Sequence, residues 1–156
     1  MKIFKVFTIF IFFLNLEATA GEIVGNPIIT DGDTIKIINK RIRLHGIDAP
    51  ERKQLCKKNS KKYRCGVVST EALIKRINNN KVRCKVRDRL DRYKRYIGVC
   101  FVEAINLNQW MVRNGHAVAY RRYSKDYIED ENYAKKNKIG LWSGYFTHPE
   151  KWRKLN

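Results

Sequence analysis

Thr34-Ile35-Lys36-Ile37-Ile38-Asn39-Lys40-Arg41-Ile42-Arg43-Leu44-His45-Gly46-Ile47 is the stretch that decides the fold. Ile35 and Ile37 alternate with polar neighbours, as do Ile42 and Leu44. A period of two buries one face of an extended chain. Asn39-Lys40 punctuates the run, so it reads as two strands, 34–39 and 41–47. Upstream, 23–30 is a third Ile-rich strand, set off by Asp31-Gly32. Downstream, Val67, Leu73, Ile74 and Ile77 fall near helical spacing and predict a helix over 67–77, ended by Asn78-Asn79-Asn80. Segments 81–87 and 96–102 alternate again and predict two strands joined by a polar, basic loop. Asn106 followed by Gln109 predicts a capping box, opening a helix with Leu107, Trp110 and Met111 on its apolar face and Gly115 just past its end. A short strand over 117–120 follows, then a charged helix over 127–138 closed by Gly140, with Leu141 and Trp142 docking on the body. This order predicts an α+β fold, a small closed barrel with helices on its outside.

A chain of 156 residues holds one domain of ordinary size. Its 44% apolar content, with three Trp, eight Tyr and seven Phe, fills a core and excludes wholesale disorder. No tandem repeat, Gly/Ser linker or Pro-rich run is present, which removes solenoid, collagen-like and mucin-like readings. Thirty-three Lys and Arg face fifteen Asp and Glu, a net charge of +18. Such an excess points to a polyanionic partner: nucleic acid, an anionic membrane or a surface glycan. Charge alone does not separate holding that partner from cutting it.

Residues 1–20 read as a signal peptide and 21–156 as the working domain. Lys2 and Lys5 precede an uncharged run from Val6 to Leu16, and Ala18-Thr19-Ala20 supplies a small-x-small end. Eleven uncharged residues are too few for a helical membrane span, which takes about 20, so no stable span is expected after cleavage. Without Lys2, Lys5 and Glu17 the remaining 136 residues carry 31 basic and 14 acidic side chains, a net +17. An exported protein, periplasmic or secreted and monomeric, is expected. Export also shapes the reading of Cys56, Cys65, Cys84 and Cys100, which include no C-x-x-C pair and lie far in sequence from the histidines. A structural zinc site is therefore disfavoured and two disulfides are expected. Of three possible pairings, Cys56–Cys65 across a basic stretch and Cys84–Cys100 on two strands flanking Arg92 are preferred.

The scarce acids are informative. Asp31 and Asp33 bracket Gly32 at one turn; Asp48 and Glu51 bracket Ala49-Pro50 at a corner stiffened by the proline. If the two corners meet at one barrel rim, their carboxylates form a patch of hard oxygen donors suited to Ca2+ or Mg2+. Each motif alone is also an ordinary turn. Arginines in the strand (Arg43) and in the Asp91-Arg92-Tyr93-Lys94-Arg95 loop could stabilise the charge that gathers on phosphorus oxygens as a phosphodiester is cleaved. His45 and His116 lack a nucleophile motif and read as packing or surface residues.

Taken together, Asp31-Gly32-Asp33-Thr34, Arg43-Leu44-His45-Gly46-Ile47-Asp48-Ala49-Pro50-Glu51 and Asp91-Arg92-Tyr93-Lys94-Arg95 resemble the signature of the thermonuclease (staphylococcal-nuclease-like) family. Asn114-Gly115-His116-Ala117 and the run 134–143 are similar to later parts of the same domain, so the resemblance covers about residues 23–143. It implies a five-stranded OB-fold β-barrel with three helices and Ca2+-dependent hydrolysis of DNA and RNA, leaving 3′-phosphate ends. By the same resemblance, Asp33, Asp48 and the Ala49 backbone carbonyl are the metal ligands, with Asp31 standing behind them. Glu51 is the general base, and Arg43 and Arg95 grip the scissile phosphate. Tyr93 and Tyr120 contact a nucleotide's terminal phosphate or base.

Three departures stand out. Lys94 replaces the family's usual glycine, Ala49 stands where threonine is common, and the 56–65 segment is basic where the family has a mobile loop. Two other functions compete: a non-catalytic OB-fold that binds nucleic acid by charge and stacking, and an adhesive or membrane-surface basic protein. Neither needs Glu51 together with both arginines.

Overall fold

The first expected strand folds as two. In the computed structural model, which describes residues 21–156, β1 (Gly21–Gly25) and β2 (Ile28–Asp31) are separated by Asn26-Pro27. Proline has no N–H to give a ladder and ends the pairing there. The expected leader, residues 1–20, lies outside the described residues.

β3 (Thr34–Ile37) and β4 (Lys40–Leu44) form a hairpin with shorter strands than expected, its turn at Ile38-Asn39, one residue before the expected Asn39-Lys40. Ile38 and Asn39 both take positive φ, 45° and 61°, the geometry of a two-residue turn matched to strand twist. Ile35, Ile37, Ile42 and Leu44 are all buried, as their alternation requires. Gly46, at φ +73°, then turns the chain into β5 (Ile47–Asp48). A second hairpin, β6 (Cys56–Lys58) and β7 (Lys61–Tyr63), leads into α1 (Cys65–Ile77).

β8 (Val82–Leu90) and β9 (Tyr96–Val102) follow, then β10 (Ile105–Asn106). The main sheet runs β1-β8-β9-β4-β3-β2, with β10 beside β9. β4 and β9 are parallel and the other pairs antiparallel. Its two ends, β1 and β2, are parts of one expected strand, so the sheet, seven strands where five were expected, curls on itself as an OB-type half-barrel.

α2 (Leu107–Arg113) opens with the Asn106 side chain accepting the Gln109 N–H at 3.1 Å. The reciprocal half of the capping box does not form, because the Gln109 amide turns to Asp130 instead. Buried Asn108 ties this helix to the barrel, donating to the carbonyls of His45 and Gly98 and accepting from Cys100 N–H. β11 (Val118–Ala119) pairs with β5. α3 (Ile128–Lys136) and a 3-10 turn (Gly140–Ser143) close the expected elements.

A further helix, α4 (Pro149–Leu155), corrects the expected three to four among the described residues. Its only large apolar side chains are Trp152 and Leu155, too few to show a helical period, so its signals are at its ends. Pro149 opens it, Glu150 lies in the first turn, and Arg153 and Lys154 lie in the last. No helix among the described residues is long and apolar enough to cross a membrane. Both expected disulfides are present, Cys56–Cys65 and Cys84–Cys100; the second joins directly opposed residues of β8 and β9.

Candidate active site

The two acidic corners meet. Gly32 lets the β2–β3 turn press against α1 and the Asp48–Glu51 corner: a Cβ there would collide with Ser69 and stand 2.7 Å from the Ala49 Cβ. Asp33, buried, accepts the Ala49 backbone N–H on Oδ2 at 2.7 Å and the Thr34 hydroxyl on Oδ1 at 3.2 Å. Asp31 Oδ1 accepts the Asp33 N–H at 3.0 Å, which places it behind Asp33.

Arg43 binds the corners together. Its Nη2 lies 3.0 Å from both Asp33 Oδ2 and Asp48 Oδ1, and its Nη1 donates to the carbonyls of Leu44 and Ile47 at 3.1 and 2.9 Å. Burial, with Asp33 close by, raises Asp31 to about 7. Burial also lifts Asp48 to about 6, although Arg153 and Arg43 oppose it. These carboxylates are thus held together at a cost that positive charge offsets only in part.

Glu51 stands half-exposed at the mouth. Its backbone is fixed from two sides: Gln54, fully buried, donates its N–H to the Glu51 carbonyl at 2.7 Å, and Gly66 packs so closely that a Cβ would strike the same carbonyl. The Gln54 side chain donates to the Thr147 carbonyl at 2.6 Å, anchoring the corner to the C-terminal segment.

Arg95 belongs to a separate group. Its Nε and Nη2 both meet Asp91 Oδ2 at 2.8 Å, while Asp91 Oδ1 accepts the N–H groups of Tyr93 and Arg95 at 2.9 Å. Burial alone would raise Asp91, but these bonds outweigh it and hold the carboxyl below its ordinary range. Lys94 takes φ +59°, the conformation that glycine adopts freely, so the loop follows the path a glycine would permit. Arg95 immediately precedes Tyr96, which sits opposite Ile42 on the strand that bears Arg43. Tyr93 is exposed, with the guanidinium carbons of Arg92 and Arg95 at 4.8 and 5.1 Å from its ring centroid. Tyr120 packs edge-on against Tyr123, and burial together with the charges of Asp48 and Glu150 pushes its hydroxyl up.

The contact that sequence reasoning missed is Arg153. Its guanidinium holds both oxygens of Asp48, at 2.9 and 3.0 Å, and Oε1 of Glu51 at 2.9 Å. Asp91 was legible only as part of a motif; its spacing of four from Arg95 was the available signal. The histidines sit apart: His45 meets Arg87 at 3.1 Å, and His116 stacks on Trp110.

The donor chemistry fits a hard divalent cation. Oxygens of Asp33 and Asp48 already converge on one positive nitrogen, and the Ala49 carbonyl belongs to the same corner. Among the described residues no three His, Cys, Asp or Glu side chains form a closed cage. Water and backbone oxygen would complete any such shell.

Residues 41–144 match the family described as staphylococcal nuclease homologue. A micrococcal nuclease of Shigella flexneri is 32% identical over 154 residues, spanning 87% of this chain and 81% of the relative. An uncharacterized endonuclease of Escherichia coli O157:H7 is 33% identical over 147 residues, 89% of this chain and 90% of the relative. Succinoglycan biosynthesis protein ExoI of Rhizobium meliloti (strain 1021) is 36% identical over 137 residues, 85% of this chain and 71% of its own. With well over half its length inside that family match, the chain belongs to the staphylococcal nuclease homologue family.

Proposed function

We propose that this protein is an exported, Ca2+-dependent nuclease that hydrolyses phosphodiester bonds of DNA and RNA with little sequence preference. One observation carries the reading. Asp33, Arg43 and Asp48, drawn from two corners and one strand, are joined directly, and Arg153 links Glu51 to Asp48, in a protein whose net charge is +18.

Asp33, Asp48 and the Ala49 carbonyl would hold the ion, with Asp31 behind Asp33. When bound, the ion supplies a Lewis acid that draws charge from the phosphoryl oxygen. Glu51 takes the proton of the attacking water as the water oxygen bonds to phosphorus and the bond to the 5′-oxygen breaks; that oxygen leaves as a 5′-hydroxyl with a proton from solvent, and a 3′-phosphate remains. Arg43 and Arg95 donate to the non-bridging oxygens, whose charge grows toward the transition state; Arg95 exchanges Asp91 for phosphate as it does so. Tyr93 and Tyr120 supply faces and hydroxyls for a terminal nucleotide. The +17 remainder of the chain reads phosphates rather than bases, so binding weakens steeply with salt. Two disulfides and the leader pattern support export to an oxidising compartment. The working unit is a monomer.

The test is cleavage of linear single-stranded DNA and of RNA, in Ca2+ and in EDTA, by the wild type and Glu51→Gln. Loss of a general base lowers kcat by about 10³-fold, and EDTA abolishes cleavage. Full-rate cleavage in EDTA or by Glu51→Gln overturns the mechanism. Binding without cleavage in every condition returns the protein to the non-catalytic nucleic-acid binder.

A further inference from the structure

Arg153 reaches the carboxylates from outside the barrel. It sits on α4, past residue 144 where the family match ends. Its two-point grip on Asp48 and its bond to Glu51 fill positions that the proposed chemistry needs free. Asp48 Oδ1 also receives Arg43, so both lone pairs of that oxygen are taken by guanidinium protons. Oδ2 keeps one lone pair beside its bond to Arg153, but a divalent cation placed there would meet like charge from both guanidinium groups, so one arginine yields.

The two arginines are anchored differently. Arg43 is 11% exposed and keeps two backbone carbonyls even without the carboxylates. Arg153 is 35% exposed, and among the described residues its side-chain bonds go to Asp48 and Glu51 alone. Its helix is docked by other means: buried Pro149, half-buried Trp152 and the Glu150–Arg122 pair at 3.3 Å. The Arg153 side chain can therefore swing away while α4 stays in place.

We propose that Arg153 is the internal counter-cation of this site: it holds Asp48 and Glu51 in the cation-free protein, and a divalent cation binds by displacing it from Asp48. The inference rests on reading Asp33 and Asp48 as the cation ligands. Displacement also releases Oε1 of Glu51, the oxygen that Arg153 holds, in the same step. The contact also lowers cation affinity, because binding must first break a charge-assisted pair.

Calorimetric titration of Ca2+, without nucleic acid, into the wild type, Arg153→Gln, Arg153→Lys and Lys151→Gln tests this. Lys151 is an exposed residue of the same helix, so Lys151→Gln removes the same charge without touching the carboxylates. Arg153→Gln is expected to bind Ca2+ about tenfold more tightly than the wild type and to melt at a lower temperature when cation-free. Arg153→Lys keeps the charge, loses the fork and falls between the two, while Lys151→Gln shifts affinity far less. Equal affinities for the wild type and Arg153→Gln overturn the inference. So does an equal gain in Lys151→Gln, which assigns the effect to overall charge. Asp33→Asn separates the two readings. If it abolishes Ca2+ binding while Arg153→Gln matches the wild type, only the role of Arg153 fails. If the wild type takes up no Ca2+, the cation ligands and the counter-cation fall together.

Discussion

Arg43 lies on β4 and Arg95 on the loop that leads into the neighbouring strand β9, and the two are restrained by opposite means. Arg43 lies within β4, and four acceptors from three parts of the chain hold it: Asp33, Asp48, and the carbonyls of Leu44 and Ile47. Arg95 ends a loop, and its only carboxylate partner among the described residues is Asp91, four residues back in the same loop. The first restraint ties three elements together and is shared with the fold; the second stays within one loop. A residue held across several elements is fixed before substrate arrives, and losing it is felt in folding as well as chemistry. A residue held by its own loop can exchange partners at little cost to the rest of the molecule.

Arg43→Lys set against Arg95→Lys separates these roles and carries the largest expected effect. A lysine keeps the charge but loses the planar fork, so each change should lower kcat/KM by about 10²–10³-fold. Only Arg43→Lys should also lower stability, by about 2 kcal/mol, because it weakens charge-assisted bonds to buried Asp33 and Asp48. Denaturant melts beside steady-state rates read both. Equal stability losses in the two variants would break the distinction.

The same contrast marks what the sequence made legible. Arg43, Asp33 and Asp48 fall on or beside strands whose period-two pattern is strong, so both corners could be set at strand ends, while their meeting at one rim was a condition that the Asp33–Ala49 bond fulfils. The split of the first strand was hidden because Ile28 and Ile29 continue an apolar run past Pro27, and only barrel closure reveals that the two halves pair with different partners. Arg153 was out of reach for a different reason. It meets Asp48 and Glu51 across more than 100 residues, from a helix with no apolar period of its own. Only the proline start and the charge order of its turns hinted at that helix. Gln54 is similar: polar in a basic stretch, it gives no sign in sequence that it is fully buried beneath the Glu51 corner.

The disulfides carry the comparison beyond the arginines. Cys84–Cys100 lies in the core, while Cys56–Cys65 closes the β6–β7 hairpin that bears Lys57, Lys58, Lys61 and Lys62. Chain-entropy arguments for loops of 16 and 9 residues give losses of about 3 and about 2.5 kcal/mol when each pair is changed to alanine. Stability therefore barely tells them apart, and kinetics should. The core pair should leave KM for single-stranded DNA unchanged, whereas the hairpin pair should raise it several-fold as the lysines lose their ordered frame. An unchanged KM in Cys56→Ala/Cys65→Ala would remove the hairpin from substrate binding.

The smallest effect concerns the support behind the rim. Glu131 is fully buried and accepts the Ala119 backbone N–H at 3.1 Å, with Arg121 and Lys135 on its other oxygen at 2.6 and 2.7 Å. Ala119 belongs to β11, whose Val118 lies opposite Asp48, so this carboxylate props the strand that backs a proposed ligand. Burial alone would raise the Glu131 carboxyl, but the bonds from Arg121 and Lys135 outweigh it and hold it below its ordinary value of 4.5. A carboxyl depressed in the folded state contributes stability that is complete above its unfolded value and is lost as pH falls through its folded one. Glu131→Gln should therefore melt below the wild type at pH 7, and the gap should close as pH drops below 4.5. Its kcat at neutral pH should change little, because the charges at the rim are untouched. A gap that persists undiminished at pH 3 would mean that shape and hydrogen bonding, rather than the buried charge, are what Glu131 gives to the back of the site.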